Sequence, residues 1–149
     1  EPDTVQVNFN LADQRAREIG LLEECGHRGI GIIARTPLCF GFLTGKYRAD
    51  GNFAEGDHRG QWQKEQLELW ADAYRLFVNE LAEADGQTGA QIALRFCLSF
   101  PEIATAIPGM LTQEHVKENV ASSSCGPLAS DTMARFMEIY AQHNFFIDK

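Results

Sequence analysis

Short strand patterns that alternate with helical patterns constrain the fold of this chain more than any other feature. Residues 5–9 alternate apolar and polar side chains, residues 30–34 are continuously apolar, and residues 103–107 form a third short run. A helical pattern follows each run. Strands and helices in this order form right-handed βαβ units, so the sequence predicts an α/β protein with a parallel sheet. The run at 30–34 is typical of a strand covered on both faces.

Periodicity and capping residues place the helices. The prediction is five helices, over residues 13–25, 61–84, 88–100, 112–121 and 130–143. Thr88 and Gln91 fit a capping box, and Thr112 fits an N-cap. Residues 36–60 are rich in glycine and turn formers, and we expect this long loop to be functional.

Three parallel strands make an incomplete fold. The chain has 149 residues and no linker that would divide it, so one domain over residues 1–149 is predicted. An open parallel sheet leaves two unpaired edges, which natural proteins avoid by closing a barrel or covering the edges. A complete (β/α)8 barrel takes about 250 residues. The chain therefore has room for four or fewer of its units.

Composition excludes several classes of function. The chain has 21 acidic and 13 basic residues, a net charge of -8, which argues against binding nucleic acid through its phosphates. No apolar run approaches the roughly 18 residues that span a bilayer, and the first residues lack the features of a signal peptide. We therefore expect a cytoplasmic protein with no membrane partner. The four cysteines and four histidines are scattered, so no metal site is expected.

The loops that follow the second and third strands carry the chemistry. Gly41 and Gly45 allow backbone N–H groups to approach an anion, and Lys46 adds a positive charge. After the third strand, Pro108-Gly109 leads into the helix capped by Thr112, and helix N-termini favour phosphate. Ligands of α/β proteins bind at the carboxyl ends of strands, so the two loops together would hold one dinucleotide. Taken alone, each loop favours a purely structural turn, because most glycine-rich turns before helices are structural.

Three segments carry more specific patterns. They are residues 5–11, residues 29–47 with Pro-Leu-x-x-Gly-x-Leu-Thr-Gly-Lys-Tyr, and residues 93–119 with Ile-Pro-Gly-x-x-Thr-x-x-x-x-x-Glu-Asn. Their order and spacing resemble the carboxyl half of the aldo/keto reductase family, from its sixth strand to its end. The resemblance implies an α/β fold that is a partial (β/α)8 TIM barrel, with the last three βα units plus the carboxyl-terminal helix. It also implies reduction of a carbonyl substrate by hydride transfer from a nicotinamide cofactor, usually NADPH.

The resemblance assigns cofactor contacts to particular positions. Gln6 matches the residue that hydrogen-bonds the nicotinamide amide, although it could instead fill a barrel layer. Arg35 stands where the family often places an aromatic ring against the nicotinamide, and an ion pair at the rim is the alternative. The pyrophosphate loop matches Thr36, Leu38, Gly41, Leu43 and Lys46, and the adenosine segment matches Gly109, Met110, Leu111, Thr112, His115, Glu118 and Asn119. A solvated helix face is the alternative for Glu118, and an N-cap without ligand is the alternative for Thr112.

Cofactor choice departs from the family pattern. Relatives that select NADPH commonly carry Ser, Arg or Lys just after the glycine, or Arg later in the helix, whereas Met110 and Leu111 are apolar here. His115 could contribute only if protonated, and Arg59 could reach a 2′-phosphate from the long loop. The resemblance to the family makes NADPH the expected cofactor, and NADH is not excluded.

Catalytic residues are expected to lie elsewhere. The family's catalytic Asp, Tyr, Lys and His precede the matched segments, so this chain inherits none of them. We expect the isolated chain to be inactive, as a fragment or one part of a split reductase that needs the amino-terminal half of the barrel. The alternative is a non-catalytic nucleotide-binding or interaction subunit that completes its fold with another chain. The substrate stays open. Residues 48–60 and the tail 144–149 are candidates to line its pocket, and the equal alternative is that both segments face solvent.

Overall fold

A three-stranded parallel sheet organises the molecule. The computed structural model describes residues 2–48, 50, 53–79, 81 and 86–147. Strands β1 (Thr4–Asn8), β2 (Gly31–Arg35) and β3 (Ile103–Ile107) lie in the order β1-β2-β3. The register sets Gln6 beside Ile33 and Arg35 beside Ile107. The prediction of an α/β chain with a parallel sheet is confirmed.

Helices connect and follow the strands. They are α1 (Arg15–Glu18), α2 (Leu21–Arg28), α3 (Lys64–Ala73), α4 (Gly89–Leu98), α5 (Gln113–Ala121) and α6 (Ser130–Gln142). A π-helical turn, Tyr74–Val78, continues α3, and 3₁₀ turns occupy Cys39–Thr44, His58–Gln61 and Ser122–Ser124. Both predicted caps are present, since the Thr88 side chain accepts from the Gln91 amide in a capping box and the Thr112 side chain accepts from the His115 amide.

Two helices differ from their predictions. The helix expected over residues 13–25 is divided, because Gly20 takes a left-handed conformation (φ 75°) that ends α1 and precedes α2. The apolar periodicity continues across that glycine and so conceals the break. The helix expected over 61–84 begins at Lys64, and residues 80 and 82–84 of that prediction lie outside the described residues.

The helices pack on one face of the sheet. Val5, Val7, Ile32, Ala34 and Ala106 face the hydrophobic core. On the opposite face the side chains of Thr4, Gln6, Asn8, Arg35 and Ile107 are exposed, and no described element covers them. The strand at 30–34 was predicted to be covered on both faces, and in the described part of the chain only one face is covered. A parallel sheet with one bare face is what an open section of a barrel would show.

Aromatic rings fill the core behind the sheet. Phe96 stacks on Phe9 at 5.6 Å between ring centroids and meets Phe100 edge-on at 5.3 Å. The last helix contributes Phe136 and Tyr140, both buried. Burial raises the pKa of Tyr140 to about 12, and its hydroxyl donates to Glu18.

The chain end is fastened to α3. Gln66 donates to the Phe145 carbonyl at 2.8 Å and accepts from the Ile147 amide at 3.3 Å. Phe146 packs on Trp70. Asp148 and Lys149, part of the predicted tail, lie outside the described residues.

None of the helices described is both long and apolar enough to cross a membrane. Within the same residues, no three His, Cys, Asp or Glu side chains are grouped so that they could hold a metal ion.

Candidate functional site

A groove of about 710 Å³ lies at the carboxyl ends of β2 and β3. One wall is the loop after β2, and the other is the turn after β3 with the first turns of α5. Nine of the residues predicted to contact a cofactor line it: Thr36, Leu38, Gly41, Lys46, Gly109, Leu111, His115, Glu118 and Asn119. The volume falls within the range of small-molecule sites, roughly 300 to 1,000 Å³.

The loop after β2 has an unusual backbone. Thr36, Cys39 and Phe40 have φ values of 53°, 47° and 55°, in the left-handed region that is costly for residues with a Cβ atom. Two side chains of the neighbouring strand-end hold Thr36, because Asn10 donates to its carbonyl at 2.9 Å and Asn8 accepts from its hydroxyl at 3.3 Å. Strain of this kind persists only where surrounding contacts fix it, and it concentrates at functional sites.

Gly41 is required by this wall for two reasons. Its φ of 93° is in the left-handed region, and a Cβ atom at this position would lie 2.7 Å from the Tyr47 ring. The sequence left open whether this glycine merely permits a turn, and the structure shows that it does have a structural role. The glycine also keeps the groove wall free of a side chain where it lines the cavity.

Arg59 holds residues 55–59 against the part of the loop that directly follows β2. Its guanidinium donates to both carboxylate oxygens of Asp57 and to the Phe40 carbonyl, and it lies 3.7 Å from the Tyr47 ring centroid. The hydrogen bonds from Arg59 lower the pKa of Asp57, which stays ionised. Arg59 was expected to be available for a phosphate from an unfixed loop, and the structure instead commits it to this clamp.

The wall from α5 presents a helix N-terminus. The Thr112 hydroxyl accepts from the His115 amide at 3.2 Å, so it acts as an N-cap and is absent from the groove lining. Hydrogen bonds from its own backbone amide and from Thr112 lower the pKa of Glu114. Together these contacts fix the direction in which α5 approaches the groove.

The two walls meet through a Lys46–His115 contact. The Lys46 Nζ lies 3.4 Å from Nε2 of His115, and the Leu111 amide faces Nδ1 of the same ring at 3.3 Å. Lys46 and His115 are 69 positions apart in sequence. The predicted neighbourhood of residues 35–46 and 109–119 is thus observed.

Asn119, near the end of α5, has a side-chain amide group without a hydrogen-bond partner. The residue is 9% exposed and lines the groove, yet its Nδ2 has no hydrogen-bond partner. A buried amide that lacks a partner costs about 1 to 3 kcal/mol. Glu118, half-buried beside it, also lines the groove.

Five predicted residues lie outside the groove lining. Gln6 and Arg35 project from the bare face of the sheet, where Arg35 pairs with Asn8, two residues beyond Gln6 in β1. Leu43 is fully buried in the core, and its carbonyl oxygen closely approaches Gly89. Met110 is about half exposed, and Thr112 serves as the cap.

Sequence reasoning missed part of the lining. Phe40, Tyr47 and Ala90 belong to it, as do residues 55–59 of the long loop. Residues 48–60 were expected beside a substrate, and residues 55–59 line the same groove as His115. Residues 49, 51 and 52 lie outside the described residues. Phe40 and Tyr47 stand inside the motif that carried the resemblance, so the motif could have indicated them.

Comparison with known proteins identifies the family of this chain. The sequence profile of the Aldo/keto reductase family matches residues 1–141. The L-glyceraldehyde 3-phosphate reductase of Escherichia coli (strain K12) is 35% identical over 77% of this chain and 35% of that protein. An aldo-keto reductase of Schizosaccharomyces pombe, named for NADP(+), is 32% identical over 74% of this chain and 33% of that protein.

A solved structure shows the same fold. The glycerol dehydrogenase of Gluconobacter oxydans superposes with a TM-score of 0.80 and 26% identity, over 98% of this chain and 44% of that one. The chain spans 33 to 39% of the length of the curated relatives named first among its matches. Because the family profile extends over nearly all of its residues, the chain belongs to the aldo/keto reductase family.

Proposed function

We propose that this chain forms the nicotinamide-nucleotide cradle of an NADPH-dependent carbonyl reductase. In this proposal it represents the last three βα units and the carboxyl-terminal helix of a (β/α)8 barrel, and the catalytic residues belong to the remaining units. The observation that carries the proposal is the single groove in which the β2 loop and the α5 N-terminus meet. When bound there, the reduced nicotinamide supplies the hydride for a carbonyl carbon.

The groups along the groove suit a nucleotide. Lys46 and the amides at the start of α5 offer positive charge and donors to phosphate. The unpartnered Nδ2 of Asn119 and the carboxylate of Glu118 offer a donor and an acceptor to an adenine edge. Arg35 pairs with Ile107 of the groove lining, Gln6 lies on the same bare sheet face, and both side chains are suited to orient the nicotinamide end.

Proton donation limits what the chain does alone. Reduction of a carbonyl needs an acid held close to the carbonyl oxygen. Tyr140 donates to Glu18, and the Tyr47 ring lies beneath the Arg59 guanidinium. Tyr74 packs against Gly45 and Gly89. We therefore expect nucleotide binding without turnover, and sustained oxidation of NADPH by this chain with any member of a carbonyl panel would contradict the proposal.

Calorimetric titration with NADPH and NADH tests the cradle, with Asn119→Leu as the informative variant. Leucine removes an unpaired amide, so the free energy of unfolding should not fall by more than about 1 kcal/mol. Affinity for both nucleotides should fall roughly fivefold to tenfold, as expected for one or two lost hydrogen bonds.

Ser122→Ala is the matched control for that variant. Ser122 is buried close by, but its hydroxyl already donates to the Glu118 carbonyl. The substitution should lower stability by about 1 kcal/mol and leave nucleotide affinity unchanged. Equal affinities of the wild type and Asn119→Leu would refute the role of Asn119.

A non-catalytic subunit is the second candidate. It is favoured by the bare face of the sheet and by β1 and β3, which stand at the sheet edges. Purification of the protein from its source distinguishes the two candidates. A preparation that contains further βα units and reduces carbonyls supports the reductase, and an inactive assembly with an unrelated chain supports the second candidate.

A further inference from the structure

The bare face of the sheet ends in a row of three exposed side chains. The register sets Arg35 of β2 between Asn8 of β1 and Ile107 of β3. Each of the three residues is the last of its strand, and neighbouring strands lie about 4.8 Å apart. In a (β/α)8 barrel this end of the strands carries the active site. In the proposed function, the row therefore stands where a substrate would lie.

Arg35 carries the only charge on this face among the described strand residues. The row before it consists of Gln6, Ile33 and Thr105, and Thr4 begins the face at the other end of β1. None of these side chains is acidic. Within the described part of the chain, no carboxylate lies within ion-pair distance of Arg35. The guanidinium is therefore left to donate to a ligand.

The hydrogen bonds around Thr36 leave a second donor beside Arg35. Oδ1 of Asn8 accepts from the Thr36 hydroxyl at 3.3 Å, so its Nδ2 group remains to donate. Asn10 donates to the Thr36 carbonyl at 2.9 Å. These two bonds hold Thr36 at a φ of 53°, directly after Arg35. A ligand at the end of the row thus meets two donors beside strained backbone, and such strain concentrates at functional sites.

We propose that Arg35, with the amide of Asn8, binds an acidic group of the carbonyl substrate, either a carboxylate or a phosphate monoester. The inference rests on the proposed function and adds the class of its substrate, namely oxo acids and phosphorylated carbonyl compounds. A guanidinium offers two separate surfaces, because its flat face can stack on a ring while its N–H edge donates to an anion. That edge matches two oxygens of a carboxylate or phosphate at once.

The surroundings of Arg35 favour one local anion site. Thr36 follows Arg35 in sequence, Ile107 pairs with it, and both line the groove, so the subsite adjoins the nucleotide cradle. The chain as a whole carries a net charge of -8, and Glu55 and Glu118 also line the groove. An acidic substrate would be repelled by these charges. It therefore needs an unpaired cation close to the reacting carbonyl, and Arg35 supplies one.

Shift titrations of the ¹⁵N-labelled, NADPH-saturated chain with paired ketones test the subsite. Bound NADPH occupies the phosphate donors of the cradle, so that they do not take the acidic group of the probe. One pair is 4-acetylbenzoate and its neutral counterpart 4-acetylbenzamide, and the other is dihydroxyacetone phosphate and dihydroxyacetone. In at least one pair the acid should bind roughly tenfold more tightly and shift the Nε–H resonance of Arg35. The pair with the larger ratio identifies the acidic group.

Three variants and titrations of each with the same pairs locate the anion. Arg35→Met should abolish the preference for the acid without lowering the free energy of unfolding, because the side chain is exposed. Asn8→Asp keeps the acceptor for Thr36 but places a carboxylate beside Arg35, and it should also abolish the preference. Arg28→Met removes the same charge before the amino end of β2, and it should keep the full preference.

The outcomes separate this inference from the cradle. Equal affinities within both pairs, or a preference that persists in Arg35→Met, would overturn the inference and leave the cradle intact, since NADPH is bound throughout. A preference lost equally in Arg28→Met would show a general effect of net charge and would also overturn it. Failure of NADPH to bind would refute the cradle, and the inference would fall with it.

Discussion

The aromatic core and the groove meet at the sheet but are stabilised differently. In the core, Phe9, Phe96 and Phe136 are buried, and the Phe96 ring contacts the rings of the other two. In the groove, Thr36 and Phe40 hold left-handed backbone conformations. The buried side-chain atoms without partners, among the described residues, are Nδ2 of Asn119 and Nε1 of Trp70, which packs on Phe40.

The difference indicates where this chain gives up stability for another purpose. Apart from Nε1 of Trp70, the core is satisfied without a ligand, since its rings pack on one another. The groove keeps strain and an unpaired amide that a ligand can use. Substitutions in the core should therefore change stability alone, whereas substitutions in the groove should change binding more than stability.

The largest effect is expected in the core. Phe96→Ala removes a fully buried ring that stacks on Phe9, which should cost about 3 to 5 kcal/mol in the free energy of unfolding. Urea denaturation measures this loss. Leu111→Ala, at a side chain that is 87% exposed, is the control and should stay within about 0.5 kcal/mol. Similar losses in both variants would show that the ring cluster is not the main source of stability.

The Arg59 clamp should give the next largest effect. Arg59→Met removes the stacking of the guanidinium on Tyr47, which is worth about 1 to 2 kcal/mol. The long loop should then be cut more readily by a protease at residues 53–61. Unchanged cleavage and stability would exclude a role for the clamp in holding the loop.

The stability that the Arg59–Asp57 ion pair contributes depends on pH in a definite direction. Arg59 lowers the pKa of Asp57, so the ion pair stabilises the fold above the ordinary carboxyl pKa of about 3.9. That contribution disappears as the pH falls through the lowered pKa of the folded state. The free energy of unfolding should therefore decrease more between pH 5 and pH 2 in the wild type than in Arg59→Met.

A smaller effect is expected at the α5 cap. Thr112→Ala removes the acceptor for the His115 amide and should cost about 1 kcal/mol. Thr112→Ser keeps the hydroxyl and should restore most of that stability. Since this cap orients a groove wall, nucleotide affinity should follow the same order, as thermal unfolding and calorimetry together can show. A serine variant that is no better than alanine would argue against capping.

The smallest effect should come from Thr36→Gly. Glycine relieves the left-handed conformation of Thr36, but it adds entropy to the unfolded chain and loses the bond to Asn8. We expect a net change within about 0.5 kcal/mol. Thr105→Gly, in β3 at a residue without a positive φ, should cost about 1 kcal/mol. Equal costs at the two positions would mean that Thr36 is not strained.

Local features were predictable because they depend on neighbouring residues. The strand Ile103–Ile107 and the Thr88 capping box were both found where the sequence placed them. The break at Gly20 was missed because apolar periodicity continues across it. A single backbone conformation, rather than a change in pattern, ends that helix.

The candidate site was predictable only in part because its key contacts are distant in sequence. The motifs indicated the two walls, but neither reveals that Lys46 reaches His115. The placement of residues 55–59 depends on Arg59 stacking on Tyr47 and bonding to the Phe40 carbonyl. Side chains that are distant in sequence and meet only in the folded chain leave no signal in local composition.

The central claim is that the β2 loop and the α5 N-terminus bind one nucleotide together. Backbone amide shifts of the ¹⁵N-labelled chain during titration with NADPH test this most directly. We predict that Gly41, Lys46, Gly109 and His115 shift together and fit a single dissociation constant. Shifts confined to one of the two walls, or dissociation constants that differ between them, would contradict the claim.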